Sequence, residues 1–174
     1  MNYFEFYEIP VSFRPDPALV KKKYIGFSKK YHPDLHALED EDTRRKNLEM
    51  ATFNTLAFNT LKDPTLTLRY VLQLKGLATD QEKFPLPPAF LMQMMELNEA
   101  LTEAETDGNA AALQACRNGL DELESALAQE VEPLLRLPHA EELTPEQLQR
   151  VSIFYYKQRY LLRIQERINK FAPL

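Results

Sequence analysis

The chain has 174 residues, 44% of them hydrophobic and 27% charged, which suits one packed domain or two small ones. No stretch nears the roughly 18 consecutive apolar residues of a membrane span. The opening Met1-Asn2-Tyr3-Phe4-Glu5 lacks the basic flank and apolar run of a signal or transit peptide. One cysteine, Cys116, excludes a disulfide framework and any four-cysteine metal or cluster site. A soluble protein of a reducing compartment is expected.

The net charge of −5 is unevenly spread. From Met1 to Lys75 there are 12 Lys/Arg against 10 Asp/Glu; from Gly76 to Gln149 there are 3 against 15. From Arg150 to Leu174 the balance reverses to 6 against 1. An acidic total argues against nucleic-acid binding, which needs a basic surface to neutralise phosphates. The segregation predicts two halves with different protein partners.

Glycine is scarce and helical spacing recurs almost throughout, so an all-α fold is expected. Asp16-Pro17 predicts a helix start, with Asp as N-cap and Pro at the first position. Val20, Tyr24, Phe27 and Tyr31 then form one apolar stripe. Lys22 and Lys29 fall opposite it, with Lys21, Lys23 and Lys30 on its flanks. Pro33 disfavours helical geometry at His32, so this helix ends near Tyr31. A charged loop over Leu38 to Asp42 leads to a second helix reaching about Lys62, where Met50, Phe53, Ala57 and Leu61 share a face. Asp63-Pro64 breaks that helix, and a short one through Arg69-Tyr70-Val71-Leu72 runs to Gly76.

Gly76 to Pro88 ends too rich in proline to stay helical and reads as a joint. After it, Phe90, Met94, Leu97 and Leu101 form a core stripe. Met92, Met95, Glu96, Glu99 and Glu103 lie opposite, with Leu91 on the flank. Methionine on an outward face suits an adaptable binding surface. The alternative is that the bundle buries both sides of this helix near its start. Asp107-Gly108-Asn109 predicts a turn, and Leu113, Cys116, Leu120, Leu123, Leu127 and Leu134 predict a long antiparallel helix. Cys116 sits on that stripe as a small buried hydrophobe. Thr144-Pro145-Glu146-Gln147 has the pattern of a capping box and opens the last helix. Phe154, Tyr155 and Tyr156 are consecutive, so at least one of them is expected at the surface.

His32-Pro33-Asp34 at the end of a basic amphipathic helix offers a chemistry. Pro33 pins the backbone, His32 can donate, and Asp34 presents a carboxylate suited to a bidentate arginine on a partner. His32 and His36, four apart with Asp34 between, could suggest a metal site. Pro33 breaks the helix that would align them, and only His139 remains as a further histidine. The run Lys30-Tyr31-His32-Pro33-Asp34, supported by Ala57-Phe58-Asn59-Thr60-Leu61-Lys62-Asp63-Pro64, resembles a J-domain from about Tyr3 to Leu74. The run Asp63 to Gly76 is similar to the J-domain exit of HscB-type co-chaperones. Phe90-Leu91-Met92-Gln93-Met94-Met95-Glu96-Leu97-Asn98-Glu99 is similar to the start of their C-terminal domain.

The resemblance implies a J-domain over residues 1–76, a linker over 77–88 and a three-helix scaffold-binding domain over 89–174. It implies a co-chaperone that stimulates a heat-shock ATPase of HscA or DnaK type and brings it the iron–sulfur scaffold protein IscU. His32, Pro33 and Asp34 would meet the ATPase together with Lys21, Lys22, Lys29 and Lys30. Leu91, Met92, Met95, Glu96, Glu99, Glu103 and Phe154 would meet the scaffold. Five of these are the outward stripe that helical spacing had already set apart. The resemblance also implies a bacterial cytoplasmic protein rather than one of the mitochondrial matrix. Ile25 and Gly26 stand where many J-domains carry basic residues, and Asn54 where they carry an apolar one, which predicts a shifted packing of the second helix. With Cys116 as its one cysteine, this sequence is not expected to carry the cysteine-rich zinc extension of some members. No catalytic constellation, metal site, cofactor, nucleic-acid partner or membrane partner is expected. Two rival readings remain: a J-domain co-chaperone for another client, and a helical adaptor without ATPase stimulation.

Overall fold

A computed structural model describes residues 1–77 and 84–171 of the chain. Seven α-helices follow one another among them: α1 (Tyr3–Tyr7), α2 (Pro17–Lys30), α3 (Glu41–Leu61), α4 (Pro64–Leu74), α5 (Pro88–Thr106), α6 (Ala110–Leu135) and α7 (Pro145–Phe171). The described residues hold no strand, and the all-α expectation stands. No described helix is long and apolar enough to cross a membrane.

Short polar side chains set where the first four helices begin. Asn2 and Glu5 form a capping box on α1. The carboxylates of Asp16, Asp40 and Asp63 accept backbone N–H groups of Ala18, Thr43 and Thr65 at 2.9, 3.0 and 2.8 Å. Each such cap is worth about 1 kcal/mol. Pro17 and Pro64 follow their caps at the first helical position, where the missing N–H costs nothing.

The chain divides into two compact units, Met1–Ala78 with Leu135–Thr144, and Thr79–Leu134 with Pro145–Leu174. This differs from a contiguous division at the joint. The Ala140 N–H donates to the Val11 carbonyl at 2.8 Å, lacing Leu135–Thr144 into the first unit. Residues 78–83 of the expected linker lie outside the described residues.

The first unit has an aromatic core. Phe6 stacks on Phe27 at 4.5 Å, Tyr3 on Tyr70 at 4.5 Å and Tyr24 on Phe58 at 4.2 Å, while Phe4, Phe13, Val20 and Leu72 are fully buried. Asn54, expected to disturb this packing, is built into it. Its amide donates to the Tyr24 carbonyl (3.1 Å) and Ser28 Oγ (3.0 Å), and its oxygen accepts from the Tyr7 hydroxyl (2.8 Å). One buried side chain thereby ties α1, α2 and α3 together with its polar atoms satisfied.

The second unit packs α5, α6 and α7 through aliphatic stripes. Phe90, Met94 and Leu101 of α5 are buried as the spacing predicts, with Leu97 half-buried. On α6, Leu113, Cys116, Leu120 and Leu127 are buried and the stripe continues through Val131, with Leu134 half-buried. Phe154, Tyr155 and Tyr156 correct the sequence reading: all three are buried. Phe84, from just before α5, stacks on Tyr156 at 4.1 Å, and the Arg159 guanidinium lies over the Tyr155 ring at 5.8 Å. Three consecutive aromatics are covered because a non-helical segment and a long cation close the sides that the bundle leaves open.

Candidate functional site

The two candidate surfaces lie in different units and are built differently. In the first unit, Tyr31 caps α2 and His32 turns out of the helix at φ −65°, ψ 130°, the extended geometry that a following proline demands. Pro33–His36 then form a single 3₁₀ turn, with the Asp34 N–H donating to His32 Nδ1 at 3.3 Å. A ring that accepts at Nδ1 carries its proton on Nε2. His32, Pro33 and Asp34 are all exposed, and the Asp34 carboxylate is 89% open to solvent.

His36 holds this turn against the end of α2. Its Nε2 meets the Lys30 carbonyl at 2.8 Å and its Nδ1 meets Glu39 Oε2 at 2.8 Å. Both partners are acceptors, so the protonated ring satisfies both at once. The Lys30 carbonyl first, and the Glu39 carboxylate second, raise its pKa above the ordinary value near 6.5. With both nitrogens engaged, His36 has no lone pair to offer a metal. Sequence reading weighed this histidine only as a metal ligand and missed its clamp, because the Lys30 carbonyl becomes a partner only once the chain has turned.

Lys21, Lys22, Lys29 and Lys30 are exposed on α2, as expected. Lys21, Lys22 and Lys29 make no ion pair among the described residues. Lys30 sits over the rings of Phe27 (6.0 Å) and Tyr31 (5.2 Å). Lys23 is different: it is half-buried and bonds Glu8 Oε2 at 2.7 Å, which lowers the Glu8 carboxyl pKa.

In the second unit the outward stripe of α5 is open. Met92 and Met95 are 63% and 62% exposed, Leu91 is 38% exposed, and Glu96, Glu99 and Glu103 extend the face in the direction of the helix C-terminus. The alternative of a helix buried on both sides at its start does not hold. The opposite side is pinned: Tyr160 meets Phe90 edge-on at 5.9 Å, and Lys157 Nζ lies 5.3 Å from the same ring. Farther along, Arg167 of α7 bonds Glu105 at 3.0 and 2.6 Å, Asn98 at 3.2 Å and Thr102 at 2.9 Å. Asn98, Thr102 and Glu105 form a polar stripe at helical spacing, a signal present in the sequence. Phe154 is not on this face. It is 4% exposed and lines a cleft of about 180 Å³ with Pro87, Leu127, Val131 and Arg150.

The family model for the HSCB C-terminal oligomerisation domain matches residues 86–169. A co-chaperone protein HscB homolog of Vibrio cholerae is 37% identical over 102 residues, 58% of this chain and 60% of that protein. One from Ralstonia nicotianae is 34% identical over 113 residues, 64% of each. In these alignments the chain spans about 60% of the relatives' length. One from Shewanella halifaxensis is 28% identical over 172 residues, 98% of this chain and 96% of that one. The solved structure of chaperone HscB from Vibrio cholerae matches with a TM-score of 0.67 at 26% identity, over 98% of this chain and 96% of that one. Human co-chaperone protein HscB shares the fold, with a TM-score of 0.74 at 24% identity, over all of this chain and 84% of that one.

Proposed function

Because the chain belongs to the HscB-type co-chaperones, we propose that it stimulates ATP hydrolysis by a heat-shock ATPase of HscA or DnaK type and delivers the iron–sulfur scaffold IscU to it. The exposed His32-Pro33-Asp34 turn carries this reading. Asp34 offers two carboxylate oxygens to an arginine of the ATPase, Pro33 fixes their direction, and His32 Nε2 donates beside them. Lys21, Lys22, Lys29 and Lys30 steer an acidic partner toward the turn, which raises the encounter rate more than the affinity. Binding that favours the hydrolysing, client-clamping state shifts the ATPase by a coupling of about 1–3 kcal/mol.

On the second unit, Leu91, Met92 and Met95 offer adaptable apolar contact to the scaffold, and Glu96, Glu99 and Glu103 offer it an acidic margin. Phe154, at the cleft it lines with Pro87, Leu127 and Val131, adds a recessed apolar contact for the scaffold. Holding the scaffold beside the chaperone raises its effective concentration to about the millimolar range. The cluster is cargo on the scaffold, and this chain contributes binding and positioning. We place the division of labour at residues 1–76 and 89–174, and the setting in a bacterial cytoplasm.

Single-turnover ATP hydrolysis, with and without scaffold, tests both halves. Stimulation by the chain should be enhanced by scaffold, lost in His32→Gln, and made indifferent to scaffold in Met92→Glu/Met95→Glu. Stimulation that ignores scaffold from the outset points to another client. Silence with every ATPase tried, or an unimpaired His32→Gln, leaves only an adaptor.

A further inference from the structure

We infer that α2 carries a specificity notch over Gly26, which receives one apolar side chain from an acidic, extended segment of the ATPase partner. This rests on the reading of α2 as the ATPase-docking face and goes beyond it by naming what that face selects. A groove of about 410 Å³ runs along the helix, lined by Leu19, Lys22, Lys23, Gly26, Phe27 and Lys30. Leu19, Lys22, Lys23, Gly26 and Lys30 recur at helical spacing and so share one face. Gly26 stands at its middle, and the missing side chain is what opens the groove.

The glycine answers no need of the fold. A Cβ built at position 26 meets nothing within 4 Å, and its φ is an ordinary helical one. A glycine inside a helix is destabilising relative to alanine. Below the gap lie the half-buried side chains of Phe27 and Leu19, so the floor is apolar. Lys23 is already paired with Glu8, which leaves Lys22 and Lys30 as the cations at the two ends.

Charge and spacing together specify the occupant. Lys22 and Lys30 are eight residues apart, roughly 12 Å along a helix. An extended segment places residues i and i+4 roughly 13 Å apart, with i+2 pointing the same way between them. A segment reading carboxylate, any residue, apolar, any residue, carboxylate therefore sets both charges on lysines and its central side chain in the notch. Phe27 is unsuitable for a test, because its ring also stacks on Phe6 in the core.

The test uses the full chain with Gly26→Ala and Gly26→Leu beside His32→Gln, measuring thermal unfolding, affinity for the ATPase and single-turnover stimulation. Gly26→Ala and Gly26→Leu should melt at or above the wild-type temperature. Gly26→Leu should bind the ATPase about tenfold more weakly, the effect of excluding one buried anchor, with Gly26→Ala intermediate. A more stable protein that binds worse cannot be explained by damaged folding. If Gly26→Leu binds and stimulates as wild type while His32→Gln is inactive, the notch is wrong and the docking face stands. If wild type itself neither binds nor stimulates, both fall.

Discussion

The two candidate surfaces differ in what holds them. The α5 stripe is a direct consequence of helical geometry: once Phe90, Met94 and Leu101 are buried, Met92, Met95 and the glutamates must face out. The His32-Pro33-Asp34 turn has no such periodicity behind it. Its position depends on where α2 stops, on how α2 sits against α3, and on the His36 clamp. A helix-borne surface is robust to local change, whereas a turn-borne one inherits every weakness of its supports. The supports themselves also differ, a buried amide in the first unit and a solvent-edged guanidinium in the second.

Breaking the buried support should have the largest effect. Asn54→Asp preserves volume and the acceptor for Tyr7, but turns the donor toward Tyr24 and Ser28 into a second acceptor. A buried carboxylate facing a carbonyl should cost the first unit about 3 kcal/mol, read as a fall in the urea midpoint. A loss below about 0.5 kcal/mol would mean that the knot is incidental. The Tyr7 hydroxyl belongs to the same knot, and burial pushes its pKa well above the ordinary tyrosine value. Arg167→Met is the matching change in the second unit. It removes the bonds to Glu105, Asn98 and Thr102 at the edge of the bundle, where Arg167 keeps about a third of its surface in water. We expect about 1 kcal/mol, with a smaller loss of scaffold affinity than in Met92→Glu/Met95→Glu, because Asn98 and Thr102 only border the groove they share with Glu99 and Glu103. An effect equal to that of Asn54→Asp would erase the distinction between the two supports.

The same contrast explains what the sequence made legible. The stop of α2 before His32-Pro33, the exposed lysines and the outward methionines all follow from proline sterics and a 3.6-residue period. Those rules act within a few residues. Asn54 looked like a flaw because its partners, Tyr7, Tyr24 and Ser28, lie on two other helices. One of Phe154, Tyr155 and Tyr156 is expected at the surface because nothing in α7 announces that Phe84 will stack on Tyr156. Phe154 joins the scaffold set by resemblance alone, and its cleft is formed with Leu127 and Val131 of α6 and with Pro87 before α5. In each case a partner distant in sequence decided the outcome.

The smallest expected effect separates the two surfaces by pH. His36 has a raised pKa in the folded chain, so its protonated form is the one that folding favours. Its contribution is fully present below the ordinary value near 6.5 and is lost as pH rises through the higher folded value. Above that point the neutral ring can donate to only one of Lys30 and Glu39, and the turn loosens. No comparable histidine stands on the α5 face, whose ionisable groups are the carboxylates of Glu96, Glu99 and Glu103. ATPase stimulation should therefore decline as pH rises through the His36 transition, while scaffold affinity measured in parallel stays level. His36→Phe should remove that decline, because a ring without nitrogens has no proton to lose. Following the His36 ring protons by NMR fixes the midpoint independently. A midpoint at or below 6.5, or a decline that persists in His36→Phe, assigns the pH dependence to another group and leaves the turn without its clamp.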